Sequence, residues 1–174
     1  MSIPALLISL QENGALFSYM PISTRKTARR RLFLTACAER ERTNKDSAVN
    51  LLCGEGYIRA ALDRWVLGER VYSAFLKKLI PPPDEIWEIR VTAPRPQARL
   101  FGRFAEPDTL ILTGFFTRDH LGKNGSAAWR EAMKDCVRQW EALLSGHAPY
   151  SAASIHDYVT ENCDDFNVNA SGKR

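Results

Sequence analysis

Cysteine and histidine are too few and too scattered here to build a metal or redox centre. The four cysteines, Cys37, Cys53, Cys136 and Cys163, form no CxxC pair, which argues against a zinc ribbon or a thioredoxin-type site and suits reduced thiols in a cytoplasm. The three histidines form no HExxH or other ligand spacing. No apolar run approaches the ~20 residues that span a bilayer, so no membrane role is expected. The short run Ala5 to Leu10 has no basic region before it and does not read as a signal peptide. The glycine patterns GxSxG, GxxxxGK[ST] and GxGxxG are missing as well, which removes serine hydrolase, P-loop and dinucleotide readings, and no cofactor is expected.

What remains is an ordinary globular composition, 45% hydrophobic and 25% charged over 174 residues, enough for one domain with its own core. The reading places that domain at residues 1–145, with an extended N-terminal region at 1–45 and a polar, acidic tail at 146–174. Net charge is +4 and unevenly spread. Residues 25–45 hold eight Lys and Arg against two Glu, whereas 146–174 hold four acids against two bases. A cationic front of this kind favours an anionic partner, nucleic acid first.

Residues 86–118 read as three antiparallel strands. Trp87, Ile89 and Val91 alternate with Glu88 and Arg90. Arg99, Phe101 and Arg103 share a face in the second run. Thr109 to Phe116 is apolar enough for a central strand. Pro94, Pro96 and Glu106-Pro107-Asp108 supply the turns. A basic segment holding Arg118, His120 and Lys123 leaves the third strand.

Upstream, the apolar runs 5–11 and 15–22 around Asn13-Gly14 suggest a β-hairpin, or a single strand with a leader. A helix is expected from Ser23 or Thr24, with Arg25, Lys26, Arg29 and Arg30 on one face and Leu32, Phe33, Ala36 and Cys37 as apolar contacts. That basic face is either a solvated surface or a phosphate-contacting one. Ile58, Leu62, Trp65 and Val66 have helical spacing, closed by Gly68, and Val71, Phe75 and Leu79 continue it to Pro81-Pro82-Pro83. The clearest helix follows Ser126, with Trp129, Met133, Cys136 and Trp140 as its buried stripe. The fold class is α+β: a curved antiparallel sheet of three meander strands plus an N-terminal strand or hairpin, packed by N-terminal helices and this C-terminal helix.

Cations on and after an antiparallel sheet suit metal-independent RNA cleavage, in which a ribose 2′-hydroxyl attacks the neighbouring phosphate. Guanidinium groups stabilise the charge that builds on the phosphoryl oxygens. Histidine as a residue type has an unperturbed pKa near neutrality, which makes His120 the candidate for a proton-transfer role. Arg103 joins the basic set of the second strand.

IWEIRV, the arginine in QARLF, and LILTGFF with a basic position after it resemble the RelE/HigB superfamily of toxin-antitoxin toxins, above all the phage-derived HigB-like branch with its LWELR, YR and LLHGFxKK pattern. The likeness covers residues 69–145. Thr117-Arg118 stands where that pattern has KK, and Ala98-Arg99 where it has YR. The resemblance implies a RelE-like fold and an mRNA endoribonuclease acting on RNA, in some members on the ribosome, with a small helix-turn-helix antitoxin as partner. It assigns Arg90, Arg99 and Arg118 to the reaction; His120 and Lys123 are added from their position. Two other readings stay open: a gyrase-directed, ParE-like member that acts by binding another protein, and a phage-encoded interaction protein on the same fold.

Overall fold

The computed structural model describes residues 2–22, 26–93 and 95–169. Its centre is the meander expected from the sequence: β4 (Trp87–Val91), β5 (Ala98–Glu106) and β6 (Thr109–Thr117) pair antiparallel. Around it the sheet grows to six strands in the order β1-β2-β6-β5-β4-β3, with β1 at Leu16–Ser18, β2 at Arg31–Thr35 and β3 at Leu76–Lys78. The sheet is mixed, not wholly antiparallel, because β2 lies parallel to β6. The crossover between them carries α2 (Ala36–Thr43) and α3 (Glu55–Val66), and parallel neighbours need such a crossover.

Three upstream expectations change. Residues 3–12 form a helix, α1 (Ile3–Glu12), in place of the first arm of a hairpin. Pro4 sits at its start and Leu7 and Leu10 are buried at helical spacing, a period hidden in a short apolar run. Asn13-Gly14 does turn the chain, with Gly14 at φ 73°, but it joins a helix to β1. The basic helix from Ser23 or Thr24 is also replaced. Ser23, Thr24 and Arg25 lie outside the described residues, residues 26–30 are non-helical, and Leu32, Phe33 and Leu34 belong to β2. A strand buried on both faces reads as a continuous apolar run, which mimics a helix segment. Finally, Val71 to Leu79 does not extend α3 but ends in β3.

The sheet is covered on both faces. Leu32, Leu34, Ile89, Leu100, Phe104 and Leu112 pack under α2 and α3 in the larger core. On the other face, Phe33, Ala105 and Ile111 meet α1 and Trp140, while Phe101 meets Trp129 and Met133 of α5 (Ala127–Leu143). Ser126 caps α5 by accepting from the Trp129 amide. Between α5 and β6 the short α4 (Arg118–Leu121) begins at Thr117.

Residues 146–169 are packed rather than loosely held. Tyr150 donates its amide to the Phe104 carbonyl at 2.8 Å, and α6 (Ile155–Tyr158) places Tyr158 against Trp87 and Phe104. The Tyr158 hydroxyl donates to Glu85, which also receives Lys78 at 2.7 Å. Composition hid this because a few apolar residues in an acidic segment carry the contact. No helix among the described residues is long and apolar enough to cross a membrane. Tyr158→Ala is expected to cost about 3–5 kcal/mol of unfolding free energy, the usual range for emptying a core aromatic site. Urea denaturation checks it; a loss under ~1 kcal/mol would return the tail to a loose appendage.

Candidate functional site

At the end of the meander nearest α4, polar residues replace the apolar ones on the face that α5 covers elsewhere. Along β5 that face runs Ala105, Arg103, Phe101, Arg99. Trp140 of α5 covers Arg103, its ring 5.3 Å from the guanidinium carbon, and Trp129 covers Phe101 at 5.4 Å. Past Trp129 the helix stops, and Arg99 comes next.

Arg90 and Arg99 are directly opposite each other on β4 and β5. Like charges so placed repel. Glu88 lies between them and gives one oxygen to each: Arg90 Nε is 3.4 Å from Oε1 and Arg99 Nε is 3.2 Å from Oε2. Lys77 of β3 pairs across from Glu88, and Arg118 adds its field from the start of α4. Arg118 is held by its amide donating to the Gln97 carbonyl at 2.6 Å, and its guanidinium rests on the Trp129 ring at 5.3 Å. Four cations therefore surround a single carboxylate, leaving a local excess of positive charge.

The electrostatics are strained. Glu88 and Arg99 each have only 3% of their side chains exposed, against 29% for Arg90. Burial pushes the Glu88 carboxyl above the ordinary glutamate range, against the pull of Arg99, Arg90, Lys77 and Arg118. Burial likewise lowers the Arg99 guanidinium, with Glu88 opposing. Although at ion-pair distance, Glu88 Oε2, Arg90 Nε and Arg99 Nε make no hydrogen bond of good geometry. Buried polar atoms are nearly always satisfied, so three orphans in one cluster mark an unusual place. The arrangement can receive an anion at its cationic rim and can hold or accept a proton at Glu88.

Nothing known matches this chain: no family model, no curated protein and no solved structure. Its residues must carry the functional reading.

The structure brings Arg90, Arg99 and Arg118 together. His120 and Lys123 are exposed on α4 and the turn after it, and among the described residues neither bonds to the cluster. Arg103 does not join them: 6% exposed, it donates Nε and Nη2 to the Asp84 carbonyl at 2.9 and 2.5 Å. The basic N-terminal face is not formed. Arg30 is buried, donating to the Glu69 and Glu161 carbonyls and stacking on Trp65. Arg29 is exposed and paired with Glu161 at 3.0 Å. Lys26 is exposed, and Arg25 is outside the described residues.

Two residues of the cluster were not singled out from the sequence. From the sequence Glu88 is a face-mate of Arg90 and an ion-pair partner open to Arg90 and Arg99, both of which it meets here, and Lys77 falls in a stretch with helical spacing. The signal for both was available in the alternation of Glu88 and Arg90 and in FLKKL as a strand. Burial raises all four thiols, Cys136 and Cys163 to about 11.

The folded Glu88 carboxyl titrates above the unfolded one, so the folded chain binds more protons there. Stability from this residue is complete below the ordinary glutamate range and is lost as pH rises through the raised value. Glu88→Gln is expected to flatten that stretch of the stability–pH curve; a curve of unchanged shape would show that the carboxyl is not shifted upward. Arg99→Ala, by stranding a buried carboxylate, is expected to cost about 3–5 kcal/mol in the neutral range.

Proposed function

We propose that this protein is a metal-independent endoribonuclease of the RelE/HigB kind, with Glu88, Arg90, Arg99, Arg118 and, from α4, His120 as its working set. The observation that carries the reading is the convergence of three arginines and Lys77 on one buried carboxylate at the open end of the meander. Arg90, Arg99 and Arg118 are also positions at which the sequence resembles that superfamily. The fold reading extends in the same way, to a RelE-like meander enlarged by α1, β1 and the packed tail.

In the proposed reaction an RNA phosphate sits at the cationic rim, against Arg90 and Arg118. Glu88 takes the proton of the ribose 2′-hydroxyl at Oε1, the carboxylate oxygen that faces the partly exposed Arg90, as the hydroxyl oxygen bonds to phosphorus. The bond from phosphorus to the 5′-oxygen breaks, leaving a 2′,3′-cyclic phosphate, and His120 protonates the departing oxygen. A carboxyl that burial holds above the ordinary glutamate range suits proton acceptance, and paired guanidinium groups suit the charged transition state. Arg99 positions Glu88 and balances Arg90 rather than reaching the substrate. RNA, on the ribosome or free, is the substrate class, and a helix-turn-helix antitoxin the associated partner. A second reading draws on the burial of Arg99: if the cluster is only an internal brace, the chain is a protein-binding member of the same kind.

Arg118→Ala decides between them. Its side chain stacks on Trp129 and donates one exposed hydrogen bond to Asn124 Oδ1 at 3.3 Å, so removal costs about 1 kcal/mol of stability. Loss of a transition-state guanidinium costs ~3 kcal/mol in the barrier, about a hundredfold in rate. Cleavage of mRNA on translating ribosomes and of free RNA should fall by that factor while the thermal melt barely moves. Full activity in the variant, or no activity in the parent chain, would refute the nuclease reading.

A further inference from the structure

A groove lies on the far side of Trp129 from the arginine cluster. It has a volume of about 640 Å³ and runs between α5 and the Ile80-Pro81 turn that follows β3. The surface it offers is mainly apolar. Met133 and Val137 come from α5, and Ile80, 53% exposed, stands on the opposite bank. The α5 bank is cationic, with Arg130, Lys134 and Arg138 at successive four-residue steps, which puts them about 6 Å apart along the helix. Arg138 is engaged by Glu131 and Asp135. Arg130 donates only to the Gly125 carbonyl, and among the described residues neither it nor Lys134 has a carboxylate partner.

We propose that this groove docks a protein partner through an acidic amphipathic segment, its aliphatic side chains in the groove and its carboxylates on Arg130 and Lys134. An apolar floor with three cations along the α5 bank, against the single acid Asp84 elsewhere in the lining, is the complement of such a segment. Other occupants fit less well. The single aromatic of the lining, Trp129, is 5% exposed and already holds Arg118 and Phe101, so it offers no face for a nucleobase. A second copy docking the same face about a two-fold axis would set cationic banks against each other. Residues 170–174 of this chain carry Lys173 and Arg174 and no acid. The docking surface stands apart from the nuclease reading and adjoins its site only through Trp129.

The test is selection of random displayed peptides on the full chain, with Ile80→Asp as the counter-target, followed by affinity measurements on synthetic copies. Both Ile80 and Lys134 are exposed, so their variants should keep the parent melt. Enriched peptides should combine Asp or Glu with aliphatic residues at helical or alternate spacing. Their binding should weaken at least tenfold on Ile80→Asp and on Lys134→Glu, and also with added salt. The proposal is overturned by failure to enrich any peptide over the counter-target, or by enriched peptides that lack acids. It is equally overturned if Ile80→Asp abolishes binding of single-stranded RNA or self-association of the chain in place of peptide binding. No cleavage is measured, so the proposed nuclease activity can fail without affecting the outcome.

Discussion

A carboxylate held out of water between two arginines organises the working end of this molecule. Without Glu88, Arg90 and Arg99 would face each other across adjacent strands as uncompensated like charges. Without the arginines, Glu88 could not stay ionised at 3% exposure. The remaining parts follow from that mutual dependence. The register of β4 on β5 must be the one that sets Arg90 opposite Arg99, and Gln97 must hold both the Arg99 guanidinium and the amide of Arg118.

The sheet supplies the rigidity this requires. Between Phe101 and Gly102 the β5–β6 register slips by one residue. Gly102 is needed there, because a Cβ would meet the Ile111 carbonyl oxygen at 2.3 Å. The bulge lets Phe115 enter the larger core while Phe116 folds onto Phe101 on the opposite face, at 5.2 Å. Glu41 of α2 accepts the Phe115 amide at 2.9 Å, closing an edge of β6 that β2 does not reach. Apolar residues of similar volume would stabilise this end at least as well as buried ions do. Sequences that depart from good packing at one place do so most often for function, and this is the physical ground for locating the site here.

What could be read from the sequence depended on which elements carry a period of their own. The meander strands and α5 were legible because alternation in WEIRV and the Trp129–Met133–Trp140 stripe are strong local signals. The strand β2 was not, since Leu32, Phe33 and Leu34 are buried on both faces and lose alternation. The parallel β2–β6 pair and the docking of Tyr158 are long-range facts with no local trace. The arginines of the cluster were found through their likeness to a family motif. Arg30 and Arg103 misled because a basic residue in sequence gives no sign that backbone carbonyls, here of Glu69, Glu161 and Asp84, will claim it.

The central claim is that the cluster at Glu88 is a site for phosphate and not merely an internal brace. Arginine Nε resonances report this directly, because among the described residues Arg90 and Arg99 Nε have no hydrogen-bond acceptor of good geometry. Titration with a ribonucleoside 3′-monophosphate, followed by nitrogen-detected spectra of the arginine side chains, should move the Arg90 and Arg118 signals in a saturable way. Arg103 and Arg30, committed to carbonyls elsewhere, should stay in place. If no arginine signal saturates, or if all of them drift together with ionic strength, the cluster does not bind phosphate and the account of this end of the molecule is wrong.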